Sequence, residues 1–209
     1  MAGDSRTPLA AVRRALALWQ GLRRSGSDPC QAVADHGLLR TLGGVDVYLS
    51  LAARVGGVRR AEIDQAVEAG RLRVVPSVRG CIYLVPSEAV SCSLRVADLL
   101  SRSRREREHE KVGLSAAEVQ RLGAAVLEAL AGGALTTSAL RRALPENLVR
   151  GFGAAGKKVG ISSNLPPTLR ELELEGRLER ALEGGCLDSE RYLWRLPASD
   201  PFCDHPVPD

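Results

Sequence analysis

The chain has 209 residues, 44% of them hydrophobic and 3% aromatic, which allows one large domain or two small ones with cores built from Leu, Val and Ala. Its formal net charge is +4, and all of its 29 basic residues except Lys111, Lys157 and Lys158 are arginine; arginine's planar fork suits phosphate and base edges, although an arginine-favouring codon usage accounts for most of that bias. No apolar run approaches the roughly 18 residues of a bilayer span, and no apolar signal segment opens the chain, so no membrane association is expected and the cytoplasm is the expected compartment.

In chain order, Leu9, Val12, Leu16, Trp19 and Leu22 recur at spacings of three and four and predict a first helix. Ser27-Asp28-Pro29 is an N-cap followed by proline, and predicts a second helix through Val33 and Leu38 to Leu42, broken by Gly43-Gly44. Val45, Leu49, Ala52 and Val55 mark a short third helix closed by Gly56-Gly57. Residues 59–69 give a fourth, with Ile63 and Val67 inward and Gly70 at the C′ position. The period then changes: 72–75 and 81–85 are short, β-branched-rich runs around Pro76-Ser77-Val78-Arg79-Gly80, which reads as a hairpin. Ser87 opens a long helix through Val90, Leu94 and Ala97 that fades into a mixed-charge run at 102–111, a solvated helix face or linker.

The second half repeats this grammar. Leu114-Ser115-Ala116-Ala117-Glu118-Val119 is a capping box with a Leu114/Val119 staple, and Leu122, Val126 and Leu130 continue the buried stripe. Thr136 caps a short helix that Pro145 terminates, a glycine- and lysine-rich loop follows, and Pro166-Pro167 starts a helix carrying Leu165, Leu169 and Leu172. Residues 178–182 and 191–196 flank Gly184-Gly185 as a second hairpin. The expected fold is mostly α with small β-hairpins, in tandem winged-helix units: 1–101, a charged linker or helix extension at 102–111, 112–197, and an acidic tail at 198–209.

Gly151-Phe152-Gly153-Ala154-Ala155-Gly156-Lys157-Lys158 satisfies both GxGxxG and GxxxxGK. It lacks the preceding strand, the following helix and the Ser/Thr of a phosphate cradle, so a basic loop is the expected structure and no nucleotide cofactor is expected. The five cysteines form no CxxC pair and the three histidines do not cluster with them, so no metal site is expected. Helix N-termini offer free N–H groups to phosphate; Lys157, Lys158, Ser162, Ser163, Asn164, Thr168 and Arg170, together with Arg79 on the first hairpin, are the candidate DNA contacts. Asp46 and Tyr48, at the head of the third helix, are the candidate reactive groups, a first-turn acid and a half-buried aromatic being the plainer readings.

Four stretches carry a family resemblance: Leu18-Trp19-Gln20-Gly21-Leu22, Leu42-Gly43-Gly44-Val45, Arg79-Gly80-Cys81-Ile82-Tyr83-Leu84-Val85-Pro86 and Leu165-Pro166-Pro167-Thr168-Leu169-Arg170-Glu171-Leu172. Over nearly its whole length the chain resembles the AlkZ/YcaQ winged-helix DNA glycosylases. The resemblance implies tandem winged helices that embrace double-stranded DNA and hydrolyse the N-glycosidic bond of alkylated or crosslinked purines. Members carry Gln-x-Gln or Gln-x-Asp where this chain has Asp46-Val47-Tyr48, and they extend into a third winged helix and a β-rich domain. Two outcomes therefore stay open: cleavage supported by Asp46, with Tyr48 orienting water or packing on the sugar, or a DNA grip that is retained without cleavage, as in a non-catalytic binder or transcriptional regulator.

Overall fold

The computed structural model describes residues 9–19, 28–41, 44–189 and 191–204. Among them one small pattern occurs twice: a helix, a two-residue strand, further helices, then a hairpin. In both halves the short strand joins the last strand of the hairpin, giving antiparallel sheets of order β1-β3-β2 and β4-β6-β5. This is a mostly α, tandem winged-helix fold.

In the first half, α1 (Leu9–Trp19) leaves Val12 and Leu16 exposed; the Leu22, Ser27 and Gly43 signals lie outside the described residues. The Asp28 side chain caps α2 (Pro29–His36), accepting from the Cys30 N–H at 3.0 Å. The helix ends at Gly37, earlier than its apolar spacing predicts, because β1 (Leu39–Arg40) pairs with β3 (Ile82–Pro86), Leu39 opposite Leu84. A leucine run fits either period, and a partner strand more than forty residues away decides it. In α3 (Asp46–Ala52) the face is the reverse of the expected one: Val47, Tyr48 and Leu51 are buried, whereas Val45 and Leu49 are 52% and 63% exposed. α4 (Arg60–Glu68) buries Ile63, Asp64, Ala66 and Val67. β2 (Leu72–Pro76) and β3 form the first wing, turning through Val78–Gly80.

A turn at Ser87–Ala89 leads into α5 (Val90–Val112). This helix covers the outer face of the first sheet: Val75 and Val85 cluster with Val90 and Leu94, while Val74 and Leu84 face the α2–α4 core. The segment 102–111 is the C-terminal half of α5, so the helix runs unbroken past the expected boundary at 101. Its Arg105, only 4% exposed, reaches Asp98 on the same helix and Glu171 at 2.8 Å in the second half. A buried guanidinium held by two carboxylates is tolerated where an unpaired one is not. Gly113, in the left-handed region, ends the helix.

The second half starts as its capping box predicts, with Ser115 accepting from the Glu118 N–H at 3.2 Å to open α6 (Ala116–Leu130). β4 (Leu135–Thr136) and α7 (Thr137–Ala143) follow, with Thr136 as the cap. Where a loop is expected there is a short helix, α8 (Gly153–Val159). A Cβ at Gly156 would fall 2.0 Å from the Ile161 carbonyl oxygen, so this glycine answers to a close backbone approach and not to a phosphate. α9 (Leu165–Leu174), β5 (Glu179–Leu182) and β6 (Tyr192–Arg195) complete the unit around Leu122, Val126, Leu140, Leu165, Leu169 and Trp194. Part of the expected acidic tail folds back as α10 (Pro201–Asp204), whose Phe202 packs beside Val75, Val85 and Leu94.

The halves interlock through the second wing. Its turn inserts Leu187, 2% exposed, into the core of the first half beside Tyr48, Ile63 and Val67. Arg60 meets Asp188 at 2.6 Å, and Arg73 on β2 pairs with Glu179 on β5, which also accepts from the Arg195 Nε at 2.5 Å.

Candidate catalytic carboxylate and nucleic-acid interface

Asp46 is the first residue of α3, and its side chain is exposed. No hydrogen bond or ion pair engages its carboxylate among the described residues, and the positive end of the helix favours the negative charge there. Helical phase sets this orientation, because Val47, Tyr48 and Leu51 take the buried face and turn Asp46 and Leu49 outward. β1 runs antiparallel to β3, and the Thr41 N–H bonds to the Ile82 carbonyl at 3.1 Å, so the chain leaves β1 at the end of the sheet where the first wing turns. Asp46 opens α3 five residues later, within about 17 Å of extended chain. The exposed carboxylate and the wing turn thus belong to one end of the first sheet.

Tyr48 occupies a different environment. It is 8% exposed, its hydroxyl donates to the Asp64 carboxylate and accepts from the Leu187 N–H at 2.9 Å, and the Arg60 guanidinium lies 5.1 Å from its ring centre. Burial first, and the hydrogen bond to Asp64 second, push the phenol up to about 12, so it keeps its proton. The expected role of Tyr48 beside water or sugar is corrected here: its hydroxyl is used up inside the protein, tying the second wing to the first half. Tyr48→Phe, which leaves the ring and removes this link, should lower stability by about 1–2 kcal/mol in urea unfolding. Asp64 carries no motif in the sequence, although an acid on the buried face of α4, between Ile63 and Val67, marks a carboxylate that needs a partner.

The candidate DNA contacts of the second half divide. Lys157, Lys158 and Ser162 are exposed at the end of α8 and just beyond it. Ser163, Asn164 and Thr168 are 2%, 0% and 0% exposed and are withdrawn from any surface. Asn164 accepts from the Arg150 N–H at 2.9 Å and donates to the Leu148 carbonyl at 2.8 Å and to Glu118 at 3.0 Å, while Thr168 donates to the Asn164 carbonyl. They knot the segment after α7 to the start of α9. Asn164→Ala leaves two backbone groups unpaired and should cost about 2–3 kcal/mol in chemical unfolding, with DNA affinity of the folded protein unchanged. Arg170 is 37% exposed and pairs with Glu108 of α5 at 3.3 Å.

In a winged helix the third helix ordinarily enters the groove, but here both such helices are covered. α9 buries Leu165, Pro167, Thr168, Leu169, Leu172, Glu173 and Leu174. α4 packs against the second wing and presents Glu62, Gln65 and Glu68 outward. The first wing, by contrast, keeps its tip exposed. Arg79 stands there with φ 58°, the only positive-φ residue other than glycine among the described residues. A left-handed arginine is disfavoured by about 1–2 kcal/mol, which the turn geometry must hold in place.

Among the described residues no helix is long and apolar enough to cross a membrane. No curated protein matches the sequence. The fold is similar to that of the Streptomyces sahachiroi DNA glycosylase AlkZ, with a TM-score of 0.61 and 18% identity over 92% of this chain. The chain spans 50% of the length of that protein. A family model, DNA glycosylase AlkZ-like, matches residues 44–206, which include Asp46, the first wing and both hairpins. The chain belongs to the AlkZ-like DNA glycosylase family.

Proposed function

We propose that this protein binds double-stranded DNA and excises alkylated purine bases, with Asp46 as its catalytic carboxylate. The observation that carries the reading is the exposed, unengaged Asp46 at the head of α3, at the wing end of the first sheet, in the position of the family's Gln-x-Gln or Gln-x-Asp motif. Breaking a glycosidic bond builds positive charge on the sugar, and a carboxylate beside it offsets that charge. The C1′–N9 bond of an N7-alkylated purine breaks with its electron pair left on the base, whose positive charge it neutralises. The leaving group therefore needs no strong general acid. Water adds at C1′, and its proton passes to the Asp46 carboxylate and on to solvent. Arg79 at the wing tip, with Lys157, Lys158 and Ser162, is proposed to hold the phosphates.

A second reading, a DNA-binding protein without cleavage, is favoured by one observation: the other motif position, Tyr48, is buried against Asp64 and Leu187. Incubation with duplex containing N7-methylguanine separates the two. Abasic sites that accumulate with time support the glycosylase; saturable binding without them supports the non-catalytic binder.

A further inference from the structure

We infer that one flank of α5 is a phosphate track for duplex DNA, formed by Arg104, Arg107 and Lys111 and continuous with the tip of the first wing. The inference rests on the DNA-binding reading and extends it to residues outside the family motifs. In sequence, 102–111 is an alternation of charges with little net sign. A helix sorts it by angle. Spacings of three and four place Arg104, Arg107 and Lys111 on one flank. Asp98, Arg102, Glu106 and His109 fall on the other, facing Glu171 and Glu175 across a recess.

The acid bordering the basic flank, Glu108, lies between two arginines, Arg104 at 3.5 Å and Arg170 at 3.3 Å, so its charge is outweighed locally. Arg107 and Lys111 are exposed and have no acidic partner within ion-pair distance among the described residues. The flank also reaches the wing: the Arg104 guanidinium lies 3.0 Å from where a Cβ at Gly80 would stand, next to Arg79. At its other end α5 meets α8, which carries exposed Lys157 and Lys158, through Val112, Phe152 and Ile161. From Arg104 to Lys111 the helix rises about 10 Å, the length of about three base-pair steps. With α4 and α9 both covered, this flank gives the duplex a seat that neither third helix offers.

The test is fluorescence anisotropy of undamaged duplex DNA over a salt series. In the R104A/R107A/K111A variant the slope of log K against log salt should flatten by about 0.9 for each phosphate that is no longer neutralised, and affinity near physiological salt should fall more than tenfold. R104K/R107K, which keeps the charge, should retain the parental slope, and R141A/R142A, an exposed basic pair on α7, should leave it unchanged. A parental slope in the triple variant overturns the track, as does a flattened slope in the lysine variant, which would mean that packing and not charge was removed. A wild-type protein whose DNA affinity ignores salt overturns the DNA-binding reading itself.

Discussion

Asp46→Asn should abolish base release from N7-methylguanine duplex, lowering the single-turnover rate by about 10²–10⁴-fold, while the protein still binds DNA as tightly as before or more tightly. The substitution keeps the size of the side chain and removes the charge that stabilises the developing cation and accepts the proton of water. Affinity does not suffer because a carboxylate near phosphates repels them, so its removal relaxes ground-state binding. Asp46 is exposed and its side chain caps nothing, so the variant should melt with the wild type. Release that survives at the parental rate would remove Asp46 from the chemistry and leave the family motif in this chain without a catalytic group.

Arg180→Met should produce the largest drop in stability, about 3–5 kcal/mol, seen as a melting temperature about 10 °C lower. Arg180 donates through Nε at 2.6 Å and Nη2 at 2.9 Å to Glu173, which is 2% exposed, and its guanidinium lies 4.6 Å from the centre of the Trp194 ring. Removing the arginine strands a carboxylate in the interior of the second half. Removing both charges does not, so R180M/E173L should recover most of the drop. A double variant as unstable as the single one would assign the effect to the ring stacking on Trp194 instead.

The parts of the fold legible in sequence were those set by local rules. Ser115 with Glu118, Asp28 with Pro29, and Gly70 at C′ each follow from backbone groups a few residues apart. The missed elements depend on distant partners. β1 and β4 are two residues long and exist only because β3 and β6 run beside them. α8 forms from a glycine-rich stretch of weak propensity because Gly156 lets it settle on Ile161. The continuity of α5 through 102–111 depends on Arg105 meeting Glu171, a pairing that composition does not reveal.

The candidate site divides in the same way. Asp46 was legible because a motif placed it and a helix start exposed it. Tyr48 was misplaced because apolar spacing put Val45 and Leu49 inward, whereas the true inward set, Val47, Tyr48 and Leu51, is equally periodic. Ser163, Asn164 and Thr168 look like surface caps by residue type, yet the partners of Asn164, which are Leu148, Arg150 and Glu118, lie fourteen or more residues away from it.

The duplicated architecture does not produce duplicated readers. One β-ribbon projects freely, while its counterpart serves as a dowel, driven into the neighbouring unit with Leu187 at its end. A molecule built this way has a single working head, so symmetry in the nucleic acid offers it nothing: palindromic sequence has no second matching hand to grasp it, and any selectivity must come from one lesion met on one side.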